Sequence, residues 1–453
     1  MRKLRSVFVG ILAGLLMLSM RELVMGKEAG FEVLYQIGMD TSETEVMASP
    51  PSTNYLDPLP EGTFNVQIQA LEVTQGVRGD IPSRTTPGDD LILHLDGAVH
   101  VADRRTVVRA YPWVTTGSNT MIPPLNAQLW AYRDGELLSG SPISPVNSLL
   151  GNISPDRALN ELRSDASMSW NFVLPSTWTA TDSKHKSFTL SFLVEANPIG
   201  PDHVAECQGC TADNQITLGG QSFVHVPPIT IKPYFVDHTF TDLEGTLVNF
   251  PAPTPGEFFT ALDTVHKLLP IGDGERGIMV LEPAYITWNG PLSVDGNHIF
   301  KEAMIQQYLP GGSKMKNQDG VYHVFIFSPS TRHRYLVNSI FEGARLGLAS
   351  LGGSYVQAGA RGSELVHELT HAIGLDHAGN KHGETTYNPD YPDDYGRVEP
   401  NAYGFDIWSM QAIPPDFGLE GTHDFMSYDG SNPEWVSIYT WKTIAHLLGQ
   451  PNL

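Results

Sequence analysis

The sequence predicts an α+β chain in which an all-β region precedes a mixed one. Three observations carry this. Between residues 62 and 228, short segments alternate apolar and polar side chains with period two. From 229 onward, strand-like runs alternate with helix-like apolar stripes. The 453 residues include Gly 43 and Pro 33, enough turn residues to punctuate many short elements. Hydrophobic residues at 41% and charged residues at 17% place the chain among globular sequences. The formal charge of −22 argues against a nucleic-acid surface, which needs a basic face, and fits solubility outside the cell.

Residues 1–26 read as a secretory signal, which predicts a secreted, extracellular protein. Arg2, Lys3 and Arg5 precede an apolar run from Val7 to Met20, with small residues Val24 and Gly26 ahead of a cleavage point. The run is short for a membrane span, so no stable membrane association is expected; an uncleaved anchor is the other reading. Residues 27–61 are rich in Ser, Thr and Pro without periodicity, as in a linker or short pro-segment.

Residues 62–228 predict a β-sandwich, immunoglobulin-like in outline. FNVQIQALEVTQG, RRTVVRAYPWV, LNAQLWAYRDGELLSG, SMSWNFVLP and SFTLSFLVEANP supply the strands, and Asp134-Gly135 signals a tight hairpin. The region serves either to position substrate or as a spacer that shields its neighbour. The two cysteines, Cys207 and Cys210, predict a small disulfide loop; a thiolate that plugs a metal in a latent form is the alternative.

Residues 229–453 predict the mixed domain. Strands are expected at 229–237, 276–288 and 321–329, and helices at 255–270 and 298–312. In the first helix Pro255 opens a stripe of Phe258, Phe259, Leu262, Val265, Leu268 and Leu269. His266, His298, His323 and His333 are isolated and take no assigned role. A further strand falls in 348–360, and Ser363 is the expected cap of the helix after it.

That helix carries HELTHAIGLDH, residues 367–377. His367 and His371 are four apart, one turn above the other on one helical face. Gly374 permits a bend that L-residues resist, and His377 follows three residues later. Three imidazoles leave a fourth position of Zn²⁺ open, as in catalytic rather than structural sites. Glu368, beside the first ligand, is the candidate general base.

The pattern matches H-E-x-x-H-x-x-G-x-x-H at every fixed position and resembles the metzincin clan of zinc peptidases. The resemblance implies a twisted sheet with packed helices, one catalytic Zn²⁺, and hydrolysis of protein or glycoprotein substrates. It also implies that 348–360 holds the sheet-edge strand, with Ser354 to Gln357 lining the cleft. Met426, in HDFMSY, fits the methionine of the Met-turn, an apolar floor under the imidazoles, with Met410 as rival. Tyr428 then fits an oxyanion donor, and His423 and Asp424 brace the turn. HDFMSY followed by WVSIYT is also similar to the end of some secreted bacterial and archaeal metzincin-like peptidases. Ala378, after the third histidine, matches no family marker within the clan.

Between His377 and this turn lies a polar, acidic insertion. Asp390, Asp393 and Asp394 are clustered oxygen donors of the kind Ca²⁺ takes, but their spacing matches no defined loop, and a solvated loop is the preferred reading. A terminal helix is expected with Asn432 as cap, Pro433 at its first position and Trp435 on its apolar face. Two other functional readings stand beside the peptidase: an extracellular binding or adhesion protein on a peptidase scaffold, and zinc hydrolysis of a non-peptide bond. Intact Glu368 speaks against the former.

Overall fold

The computed structural model describes residues 59–77, 100–147, 159–182, 186–241, 245–292, 298–309, 320–329, 347–379, 388–393, 396–398, 403–413, 422–427 and 434–449. The signal segment, most of the linker, His333, Asp394, Tyr428, Asn432 and Pro433 lie outside them. The architecture is mixed α+β, mostly sheet with few helices. No helix among the described residues is long and apolar enough to cross a membrane.

Two sheets come first. Strands β1 (Phe64–Thr74), β3 (Val107–Thr116) and β6 (Trp170–Val173) pair antiparallel in the order β1-β3-β6. The second sheet runs β2 (His100–Val101), β8 (Gln215–Val224), β7 (Phe188–Ala196), β4 (Ala127–Arg133) and β5 (Glu136–Leu137). Val66 and Val73 of β1, Phe172 of β6, Leu129 of β4 and Phe192 and Val194 of β7 belong to one core shared by both sheets. The strict alternation of burial along β7 follows from side chains pointing to opposite faces in turn. Asp134 (φ 52°) and Gly135 (φ 85°) make the hairpin between β4 and β5, both at positive φ as a two-residue turn of this twist requires. Strand β8 escapes sequence reading because Gly219-Gly220 interrupts its alternation. The pairing register with β7 shifts opposite those glycines, between Leu190 and Phe192. Cys207 and Cys210 are joined as a disulfide beside β1, where the Cys207 amide donates to Phe64 O. Both sulfurs are thereby committed, which removes the reading of a thiolate plug.

The second half is built on a seven-stranded sheet. Its strands are β9 (Ile229–Thr241), β10 (Leu247–Phe250), β11 (Ile278–Val280), β12 (Ala284–Asn289), β13 (Val321–Phe327), β14 (Leu348–Ala349) and β15 (Tyr355–Gly359). The path is β10-β9-β13-β15-β14, with β11 and β12 also on β9. β9, β13 and β15 are parallel, and β14 runs antiparallel to β15 at the edge. Helix α1 (Pro255–Leu268) starts on a capping box, with Thr254 Oγ1 accepting from Glu257 N and the Glu257 carboxylate accepting from Thr254 N. Helices α2 (Ile299–Tyr308), α3 (Gly362–Ile373) and α4 (Ile438–Gly449) are the other helices described in this half, while short helical turns at Leu159–Arg163 and Ser176–Thr179 lie among the earlier strands. Ile231, Phe235, Val324, Ile326, Val356 and Ala358 face α1 and α3 in one core, while Tyr234, Phe325, Phe327 and Tyr355 face α2 in another.

Several expectations need correcting. The 276–288 segment is two strands, because Pro283 has no N–H to extend the ladder beyond β11. Phe259 is 54% exposed; Ala261 takes its place in the buried stripe of α1. Ser354 to Gln357 are buried, and β15 lies between β13 and β14; the edge is Leu348–Ala349. The N-cap of α3 is Arg361, without a side-chain bond, and Ser363 lies inside the helix. Trp435 belongs to a short strand, β19 (Glu434–Trp435), not to the terminal helix; Ser437 caps α4 through Oγ, accepting from Thr440 N at 3.0 Å.

The two halves are joined by buried polar contacts. Arg104, 1% exposed, donates to five carbonyl oxygens: those of Gln75, His266, Lys267, Leu269 and Ile271. Four of those residues end α1 or follow it, where helix carbonyls lack partners and the dipole favours a cation. Burial lowers the pKa of Arg104 to about 10, which leaves it charged at neutral pH. Its guanidinium also lies over the Trp441 ring of α4, 4.9 Å from the centroid. A hairpin of β16 (Gly404–Asp406) and β17 (Gln411–Ile413) packs Phe405 and Ile407 against Val107 of β3. Met410 sits at this contact, which is the place the structure gives the rival floor residue.

Candidate metal centre

Helix α3 is amphipathic. Leu365, Val366, Leu369, Ala372 and Ile373 are buried, and this fixes the direction in which His367 and His371 point. The helix stops at Gly374, φ 125° and ψ 17°, where the Gly374 and Leu375 amides both donate to Thr370 O at 3.1 Å. The reversal brings back His377, which is 5% exposed.

One metal-ligating nitrogen from each of His367, His371 and His377 lies within 4.8 Å of the others. His371 Nε2 is 3.1 Å from His367 Nε2 and 2.9 Å from His377 Nε2. The His371 ring stands nearly perpendicular to both neighbours, at 84° and 90°. Backbone carbonyls orient two of the rings. His367 Nδ1 donates to Phe425 O at 2.9 Å, and His371 Nδ1 donates to Leu375 O at 2.7 Å. With the proton held on Nδ1, each Nε2 presents a lone pair. Lone pairs facing one another at this separation repel unless a cation lies between them. The triad therefore fits a metal ion, and its chemistry is that of an all-imidazole site.

Glu368 is buried, 8% exposed, on the same helix. Its carboxylate lies against Gly347, where any Cβ would collide with Oε1. Gly347 thus makes room for the carboxylate where the chain enters the edge strand β14. Lys301 on α2 is half-buried; burial pushes its ammonium below the usual range, and Glu302 and Glu368 oppose that shift. Burial pushes the Tyr355 hydroxyl well above its ordinary value, and the same two carboxylates add to it.

Behind the triad runs the turn at 424–427. β18 (His423–Asp424) pairs in parallel with β19 (Glu434–Trp435). Asp424 is fully buried and organises the turn, Oδ1 accepting from Met426 N at 2.8 Å and Oδ2 from Ser437 N at 2.9 Å. Burial pushes its carboxyl above the usual range, against the pull of these hydrogen bonds. Met426 is buried in the same core as Leu365 and Leu369, and its carbonyl accepts from Ala378 N at 3.0 Å, next to the third histidine. In the insertion, Arg397 donates to both carboxylate oxygens of Asp393, while Asp390 is exposed. Asp394, the third candidate oxygen donor, lies outside the described residues.

The structure brings together His367, His371, His377, Glu368, Gly374 and Met426; Tyr428 falls outside the described residues. Sequence reading misses Phe425 and Leu375, which act through main-chain carbonyls, and Gly347, which arrives from a separate segment with no spacing to announce it. No family model and no curated protein matches this chain.

Proposed function

We propose that the chain is a secreted zinc endopeptidase of metzincin type, acting on proteins or glycoproteins. The observation that carries this reading is the convergence of three Nε2 atoms, two from one helical face and one from beyond a positive-φ glycine. His367, His371 and His377 would hold Zn²⁺. When bound, the ion supplies Lewis acidity toward water and toward the scissile carbonyl. Glu368 then holds the water proton on its carboxylate and delivers it to the departing amide nitrogen. Its burial, with Gly347 leaving room for it, restricts where that carboxylate can sit. Met426 supplies an apolar floor, and Tyr428 is the proposed donor to the developing oxyanion.

The test is Glu368→Gln, which keeps the size and removes the base. We expect about one zinc per chain by elemental analysis, as in wild type, and a loss of turnover of about 10²–10⁴-fold on a casein or mixed-peptide substrate. Wild-type turnover in that variant, or clearing of casein that persists with chelator, overturns the reading.

A further inference from the structure

The N-terminal sheets and the metal centre share one hydrogen-bonded path. The turn after β1 presents the Gly76 carbonyl oxygen, which accepts the indole Nε1–H of Trp435 at 2.7 Å and the amide of Phe405 at 3.0 Å. Trp435 O in turn accepts Phe425 N–H at 2.8 Å. Phe425 O then accepts the Nδ1–H of His367 at 2.9 Å. Three hydrogen bonds therefore separate the first sheet from the first ligand of the triad. Each is within normal N–H···O length, and each group is pinned on both sides.

We propose that Trp435 is a positioning residue through which the N-terminal sheets hold the His367 ring in register with the other two imidazoles. This rests on reading the triad as a metal centre, but not on the peptidase reading. The indole suits the task. Its N–H is a donor with no acceptor role, and it sits at the far edge of a rigid ring. Trp435 is 7% exposed and lies in the core that also contains Met426, Val436 and Trp441. The strand that carries it is two residues long, so pairing with His423–Asp424 alone fixes it weakly. The bond to Gly76 supplies the outer anchor. The Gly76 turn is itself fixed, because Arg104 Nε and Nη2 both donate to Gln75 O at 3.2 Å and Arg104 also grips the end of α1. A ring freed at this outer layer turns about its side-chain torsions, and Nε2 leaves the point where the three nitrogens meet.

The experiment compares wild type and Trp435→Phe over the full chain, using Co²⁺ as the probe. Phenylalanine keeps most of the ring and loses the N–H. We expect a folded variant by near-ultraviolet circular dichroism, an affinity for Co²⁺ lowered about 10-fold, and altered visible d–d bands, since changes behind a metal ligand cost about 10–100-fold in affinity. A residue that only stabilises the fold would lower the melting temperature and leave affinity and bands as in wild type; that result overturns the proposal. A second measurement needs no variant. With 5-fluorotryptophan in the wild-type chain, metal addition should shift the ¹⁹F signal of Trp435. The signal of Trp178, whose indole donates to Ser139 O at 2.9 Å within the N-terminal sheets, should stay in place. An unmoved Trp435 signal in metal-loaded protein also overturns it. Wild type that takes up no Co²⁺ or Zn²⁺ overturns the metal centre itself and the path with it, which separates that failure from the failure of Trp435 alone.

Discussion

His100 shows what burial does to one titratable side chain. Its ring is 5% exposed, stacks on Phe223 with centroids 5.2 Å apart, and faces Gln221 Oε1 at 3.3 Å. Burial lowers its pKa from 6.5 to about 4, against the hydrogen bond to Gln221. Between those values the unfolded chain binds a proton that the fold refuses. The stability that depends on neutral His100 is therefore full above pH 6.5 and is lost as the pH falls toward 4, by about 3 kcal/mol at the limit. Urea midpoints measured from pH 7 to 4 should fall more steeply in wild type than in His100→Gln; parallel curves would show that the ring is not the cause. The site residues were legible at this scale wherever chemistry is carried by side chains at fixed spacing, as in His367, Glu368, His371, Gly374 and His377. Those whose part is played by a carbonyl or by the lack of a side chain, Phe425, Leu375 and Gly347, were not.

The end of α3 is where an element decides the geometry of the site. Gly374 at φ 125° reverses the chain, and an added Cβ would meet only ordinary contacts, the nearest being Leu447 Cδ1 at 3.8 Å. The cost of Gly374→Ala is then backbone strain, about 1–3 kcal/mol, because an L-residue disfavours that conformation. We expect a lower melting temperature together with weaker metal uptake, since His377 must move if the bend relaxes; normal uptake would separate the bend from the triad. Periodicity read α1 and β13 well because both are long and packed on a defined face. It misjudged Phe259, because six apolar residues at helical spacing exceed the face that the sheet covers. It merged β11 and β12, because the apolar run continues across Pro283 while the hydrogen-bond ladder does not. It overlooked β8, whose paired glycines carry no side chain to alternate.

On the scale of the whole molecule, the sequence signalled two regions but not the contacts that unite them. Arg104 is the clearest case. Read in RRTVVRAYPWV it is one more charge at a strand entrance, yet it is buried and answers five carbonyl oxygens, four of them from a segment more than 160 positions away. Removing its half of the chain leaves those oxygens and the Trp435 indole without these partners, at about 1–3 kcal/mol for each buried group left unpaired. A fragment of residues 229–453 should therefore show no cooperative thermal transition and no stoichiometric metal uptake. A fragment that melts sharply and binds one metal would show that the two halves fold independently. The indole of Trp435 and the oxygen of Gly76 stand 359 positions apart in the chain. A polypeptide growing from its N-terminus makes β1 early, but it cannot close that bond until nearly all of the described sequence has emerged. Loop closure over such a span is slow. On the proposed function, hydrolytic competence would thus arise late in folding, a built-in delay before the chain could cut its neighbours.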